Sequence, residues 1–247
     1  KNVRARYHRF LVEGPQGVRE AVRYAADRVL DVFLTEAARD RHSGIWEEAR
    51  AAGLYVHLAS ERVMAAMSAD SQGVLAVVAM DEAAGPGALA AALSGAMLVV
   101  VLTEAQDPGN AGAIIRAADA AGADAVVLLR GSVDATSPKV VRSSAGSLFH
   151  LPVVTGVTLD DAVAALHEAD LAVVAADSRG ALDLFDADAV LEGPVAWLLG
   201  NEARGLPPEA LSRADAVISI PVRGRAESLN VAAAAAVCLY ASARAQR

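Results

Sequence analysis

Two stretches of this chain are apolar where a half-exposed strand would be polar. Residues 96–102 read AMLVVVL and residues 194–199 read PVAWLL. A strand with one wet face alternates apolar and polar side chains, whereas a strand covered on both faces does not. Covered strands that alternate with helical segments predict a parallel α/β sheet. That constraint governs the C-terminal half. LAVVAAD and DAVISIPV supply further strands, and GNAGAIIRAADAAG, LDDAVAALHEAD and SLNVAAAAAVCLYASARA supply helices.

The first part of the chain repeats the rhythm with shorter elements. RFLVEG, DVFLTE, LYVHLA and GVLAVVAM read as strands, separated by helical stretches such as GPQGVREAVRYAA and GIWEEARAAG. We expect a small α/β domain over residues 1–80, a linker over 81–95 rich in Gly, Pro and acids, and a second domain over 96–247. Apolar residues make up 54% of the 247 positions but aromatics only 4%, so the core is expected to be built from small side chains packed closely. The one cysteine, Cys238, lies in an apolar helical run and reads as a buried packing residue. No run has the length of a membrane span and the first residues have no signal-peptide pattern, so a soluble, cytoplasmic chain is expected, with no membrane partner.

The formal net charge is −8, which argues against a wholesale polyanion-binding surface. The distribution is uneven, however. Residues 1–28 hold seven basic side chains (Lys1, Arg4, Arg6, Arg9, Arg19, Arg23, Arg28) against Glu13, Glu20 and Asp27. A basic N-terminal face on an acidic body permits local binding of a polyanion; a solvated helix face with a basic tail is the plain alternative.

Four polar clusters follow strands, where parallel sheets bind ligands. They are TEAQDPGNAGAIIR, RGSVDATSPKVVRSSAG, GNEARGL and PVRGRAESLN. None is a dinucleotide G-x-G-x-x-G turn or a phosphate-binding G-x-x-x-x-G-K-[ST] loop. There is no H-E-x-x-H, no cysteine pair and no histidine cluster, so no metal site is expected. A G-x-S-x-G nucleophile turn is also absent. His150 is read as a packing residue.

NAGAIIRAADAAGADAVVL, LGNEARGL and IPVRGRAESLNVAAAAAV, in that order, resemble the three motifs of the SpoU/TrmH-type RNA ribose 2′-O-methyltransferases of the SPOUT, or α/β-knot, superfamily. The resemblance covers the chain from about Met97 onward. RFLVEGPQGVREAV resembles the substrate-binding domain that many such enzymes carry, itself similar to small ribosomal RNA-binding proteins. The resemblance implies a deep trefoil knot near the C-terminus and a slot for S-adenosylmethionine. Cofactor contacts would come from Leu199, Gly200, Asn201, Gly205, Ile220, Pro221, Ser228, Leu229 and Val231. Arg116, Asn110, Glu202, Ser228 and Asn230 match the catalytic positions. Arg4, Arg6, Arg9, Arg19, Arg23 and Arg142 would carry RNA, and a homodimer is implied.

Each residue also has a plain structural reading. Leu199, Ile220 and Leu229 can be core. Arg116 can pair with Glu202 or Asp119. Asn201, Ser228 and Asn230 can be caps or turn formers. Ribosomal RNA is the preferred substrate, with transfer RNA as the alternative. A non-catalytic RNA-binding protein, a base methyltransferase and an ordinary nucleotide-dependent α/β enzyme are the rivals.

Overall fold

The computed structural model describes residues 2–80, 84–201 and 204–247. It divides into two compact units, Lys1–Asp81 with Thr136–His150, and Glu82–Ala135 with Leu151–Arg247.

The first unit begins with α1 (Asn2–Tyr7), β1 (Arg9–Glu13), α2 (Pro15–Tyr24) and β2 (Val29–Leu34). It continues through α3 (Glu36–Arg41), α4 (Ser43–Ala51), β3 (Tyr55–Leu58), α5 (Glu61–Met67) and β4 (Val74–Ala79). The sheet order is β1-β4-β2-β3; β4 runs antiparallel to both neighbours and β2 pairs β3 in parallel. Phe10, Val12, Val32, Leu34, Val74, Ala76 and Val78 fill one face, beneath Val18, Ala21 and Val22 of α2 and Ile45 and Ala49 of α4. Thr35 caps α3 and Ser60 caps α5, each accepting from the backbone N–H three residues on.

The second unit starts with α6 (Gly85–Leu93), β5 (Leu98–Leu102), α7 (Pro108–Ala121) and β6 (Ala125–Leu128). An excursion then carries α8 (Pro138–Ser143). The unit resumes with β7 (Val153–Thr155), α9 (Leu159–Glu168), β8 (Ala172–Ala176), β9 (Leu182–Asp183) and α10 (Asp188–Leu191). It ends with β10 (Val195–Leu199), α11 (Pro208–Ser212), β11 (Ala216–Ser219) and α12 (Val231–Ala245). The seven strands run β7-β6-β5-β10-β8-β11-β9, every pair parallel.

The reason for the two unbroken apolar runs is visible in the register. Strands β5 and β10 lie at the centre, and all five residues of each are buried. Val99, Val101, Ala196 and Leu198 face α6, α9 and α11. The alternate residues face α7 and α12, where Trp197 donates from Nε1 to Ser242 Oγ at 2.9 Å, both side chains fully buried. Cys238 is buried on the same helix, and burial pushes its thiol up to about 12. Asp215 ties the turn before β11 to β8. Burial works to raise its pKa, but hydrogen bonds from Val173 N (2.7 Å) and His167 Nε2 (3.0 Å) outweigh that and hold it below the usual carboxylate range.

Three parts of the sequence reading need amendment. The excursion 136–150 was assigned to the second domain, yet Val141 and Phe149 are buried in the core of the first unit, where Phe149 stacks on Phe10 at 6.4 Å. The stretch 81–95, read as a linker leading into a short helix, carries that helix as α6, and because Leu89 and Leu93 are buried in the second core it belongs to the second unit. The closing helix starts at Val231 rather than Ser228, because the Asn230 side chain accepts from the N–H groups of Ala232 and Ala233. The elements β7, β9 and α10 had no sequence signal, being two to four residues long.

The Trp197–Ser242 bond gives a test of this core. Ser242→Ala leaves an indole N–H buried without an acceptor and is expected to cost about 1–3 kcal/mol, read as a lower denaturation midpoint at unchanged m-value.

Candidate cofactor and RNA site

The carboxyl ends of three neighbouring strands meet in the second unit. β8 runs out to Asp177, β10 to Gly200 and β11 to Ile220. With the first turn of α12 they enclose a cavity of ≈ 300 Å³. Leu199, Ile220, Val222, Leu229 and Val231 form its apolar lining, and Asp177, Ser178, Asn201, Glu227 and Ser228 its polar lining. Val222 and Leu229 are each 42% exposed, which leaves apolar surface open at the cavity.

The loop after β10 folds back on itself. Asn201 N donates to Gly205 O at 3.1 Å and Gly205 N to Asn201 O at 2.8 Å. Gly205 has φ +68°, a conformation that glycine adopts at no steric cost. Gly200 is pressed against the returning strand: a Cβ there would lie 2.3 Å from Gly205 C and 2.5 Å from Leu206 N. Only a residue without a side chain permits this approach. The loop is anchored at its root by Thr103, which donates from N (2.9 Å) and Oγ1 (3.0 Å) to Leu199 O.

A second arrangement joins the starts of α7 and α12, which pack together. Asp107 caps α7 by accepting from Asn110 N at 2.8 Å. Asn230 caps α12 with Oδ1, so its Nδ2 is left to donate, and it does so to Asn110 Oδ1 at 3.0 Å. Asn110 and Asn230, called separately from two motifs, are therefore bonded to each other.

Arg116 is exposed on α7, six residues beyond Asn110. That spacing is about 9 Å along a helix and about 120° round it, so the two side chains leave on different sides. Arg116 does not line the cavity. Leu199, Gly200, Asn201, Gly205, Ile220, Ser228, Leu229 and Val231 all line it, while Pro221 lies one residue beyond the lining. Glu202 lies outside the described residues.

Asp177, Ser178 and Glu227 line the cavity without having been singled out from sequence. Asp177 is the most informative. Its side chain is 8% exposed and binds Arg179 in a fork, Nε to Oδ1 at 2.7 Å and Nη2 to Oδ2 at 2.9 Å. That guanidinium, with the Arg179 backbone N–H, keeps the carboxyl below its usual range despite burial. The signal was available: LAVVAAD ends a strand in an acid, at the edge where ligands bind.

In the first unit the arginines called for RNA are mostly engaged. Arg23 forms a fork with Glu48, both contacts at 2.6 Å, and Arg19 pairs with Glu20 at 3.0 Å. Arg142 pairs with Glu13 and with Asp70. Arg6 lies over the Tyr7 ring, and Arg9 is exposed at the start of β1. Arg4 is half-buried. Arg19 and Arg23 share a cavity of ≈ 340 Å³ with Gln16, His42 and Glu48.

Comparison with known proteins gives this geometry its context. The model of the SpoU rRNA methylase family matches residues 97–240, and the model for RNA 2′-O ribose methyltransferase substrate binding matches residues 11–84. A 23S rRNA (guanosine-2′-O-)-methyltransferase, RlmB, of Bordetella pertussis is 31% identical over 238 residues, covering 95% of this chain and 96% of the relative. A 23S rRNA (uridine(2479)-2′-O)-methyltransferase of Streptomyces viridochromogenes is 41% identical over 140 residues, covering 55% of this chain and 48% of the relative. The crystal structure of the SpoU methyltransferase AviRb from Streptomyces viridochromogenes in complex with AdoMet superposes with a TM-score of 0.82 at 31% identity, covering 99% of this chain and 93% of that one. The likeness runs through both units and takes in the cavity-bearing sheet: the chain belongs to the SpoU rRNA methylase family.

Proposed function

We propose that this chain is an S-adenosylmethionine-dependent methyltransferase acting on a ribose 2′-hydroxyl of ribosomal RNA. The observation that carries the reading is the cavity at the ends of β8, β10 and β11, lined by residues of the second and third motifs. Its residues suit the cofactor. The volume lies at the lower end of the range for small-molecule sites, with apolar walls and a few polar groups. Leu199, Ile220, Leu229 and Val231 offer flat apolar surface for an adenine. Backbone groups at Gly200, Asn201, Gly205, Ile220 and Pro221, and the Ser228 hydroxyl, offer hydrogen bonds at its edges. Asp177 and Glu227 put carboxylates on a wall that would face a cationic ligand. When bound, S-adenosylmethionine supplies an electrophilic methyl group.

The chain's own residues then have to hold the RNA. A guanidinium remains protonated at neutral pH, so Arg116 binds the phosphate next to the target ribose through two parallel hydrogen bonds and aligns the hydroxyl. The Asn110–Asn230 pair fixes the starts of the two helices between which that alignment is set. Glu202 and Ser228 complete the family's set at the same loops. The first unit takes the RNA through Arg4, Arg6, Arg9, Arg19, Arg23 and Arg142, with the Arg19–Arg23 cavity its most enclosed part. Ribosomal RNA is favoured over transfer RNA because RlmB relatives of Bordetella and Shewanella, aligned over nearly the whole chain, are named for 23S rRNA. The chemistry and the absence of a membrane-length helix among the described residues suit a cytoplasmic enzyme.

Two structural features belong to the same proposal. The loops after β8 and β10 form a trefoil knot. A backbone contact between segments distant in the chain supports it: a Cβ at Gly180 would lie 2.7 Å from the backbone of Ile218 and Ser219. The enzyme is a homodimer. Phe185, Val237 and Tyr240 leave apolar surface exposed on and beside α12, and Arg116, which does not line the cavity of its own chain, would serve the cavity of a second copy.

Four outcomes follow. Gly200→Ala forces a Cβ into the Gly205 backbone and weakens S-adenosylmethionine binding more than about tenfold in a calorimetric titration. Arg116→Ala lowers methylation of ribosomal RNA about a hundredfold or more, with cofactor affinity kept within about twofold; an equal loss of both refutes the phosphate-holding role. Mapping 2′-O-methyl groups in ribosomal and transfer RNA after incubation with the enzyme decides the substrate. Val237→Asp converts a dimer to monomer in light scattering and removes activity; an active monomer excludes a shared site.

A further inference from the structure

We infer that Glu104, just beyond β5, is a positioning residue that latches Asn201 and Arg204, after β10, in the place where Asn201 lines the cofactor cavity; the inference rests on the reading of that cavity as the cofactor site. Glu104 holds the loop twice. Its carbonyl oxygen accepts from Asn201 Nδ2 at 3.0 Å, and its carboxylate Oε2 accepts from Arg204 Nη2 at 2.8 Å. Asn201 Oδ1 in turn accepts from Arg204 N at 3.3 Å, so the three residues close a ring of contacts across the loop.

The backbone of Glu104 is in the left-handed region, with φ +51°, a conformation that a glutamate adopts at a cost. Its neighbours impose it. Thr103 is tied to Leu199 O on one side, and on the other Ala105 N donates to Ser132 Oγ at 3.2 Å while Ala105 O accepts from Val133 N at 2.8 Å. A strained residue pinned on both flanks presents its carbonyl and its side chain to the same loop. A glycine would meet the backbone demand without strain but would give no carboxylate, so the charge is what the strain retains.

Packing anchors the far end of the loop, where Leu206 is buried in the core. At the near end Gly200, Asn201 and Gly205 line the ≈ 300 Å³ cavity, and there the contacts to Glu104 hold Asn201 and Arg204. The ion pair is 71% exposed at Arg204 and 53% at Glu104, so the expected effect is modest and sensitive to salt.

The test uses Glu104→Gly, Glu104→Gln, Arg204→Ala, Arg204→Lys and the Glu104→Gln/Arg204→Ala double variant of the full chain. Titration with S-adenosylmethionine at low salt should show Kd raised roughly two- to fivefold by Glu104→Gln and by Arg204→Ala, with the double variant no worse than either single and Arg204→Lys recovering most of the affinity. Glu104→Gly should weaken cofactor binding while leaving the thermal midpoint equal or higher, opposite signs that a purely structural residue cannot give. The wild-type advantage should vanish at high salt. Unchanged Kd in the single variants, additive losses in the double variant, or a midpoint that falls together with affinity in Glu104→Gly would overturn the latch. A wild-type chain that fails to bind S-adenosylmethionine would instead remove the cofactor reading on which the latch rests.

Discussion

Strand β10 must enter the sheet between β5 and β8, although four strands of that sheet separate it from β5 in the chain. Both its edges are paired and both its faces are covered. Such a strand admits no charged side chain and only polar groups with a partner at hand. VAWLL satisfies the first demand, and the Trp197–Ser242 bond satisfies the second. The central place of β10 also fixes where its carboxyl end emerges. Gly200 comes out beside Asp177 of β8 and near Ile220 after β11, so a ligand cavity forms where these ends meet. The cavity is a consequence of strand order before it is a consequence of any one side chain.

The composition makes this order feasible. Helices α7 and α12 pack together, and each buries small residues, Ala111 and Ala118 on one and Ala235 on the other; small side chains let helix axes approach closely. Close approach brings the two helix starts within reach of one hydrogen bond, Asn230 to Asn110. The same economy operates in the loop after β10, where Gly200 permits backbone to lie on backbone. The low aromatic content follows from the architecture: large rings would hold these surfaces apart.

How much of this was legible in the sequence depends on the length scale of each signal. The buried strands β5 and β10 were legible because a doubly covered strand must be apolar throughout. Asp107 and Asn230 as caps follow rules local to one helix turn, but the bond from Asn230 to Asn110 joins residues that only the packed fold brings together. The excursion 136–150 was misassigned because SPKVVRSSAGSLF has an ordinary helix pattern; nothing local says that Val141 and Phe149 are buried under another unit's strands. Asp177 carried a signal, an acid at a strand's carboxyl end, that was not used. Glu104 carried none, since a left-handed glutamate is decided by what pins its neighbours.

Charge separates the two units along the same line as their ligands. The first unit carries thirteen Lys and Arg against eleven Asp and Glu, the second nine against nineteen. A cationic methyl donor suits the acidic unit, whose cavity wall carries Glu227 beside an Asp177 already paired with Arg179. An acidic unit repels a polyanion as a whole. Arg23 and Arg142 are paired with Glu48 and Glu13, so a phosphate that binds either guanidinium competes with those carboxylates and trades one charge-assisted contact for another.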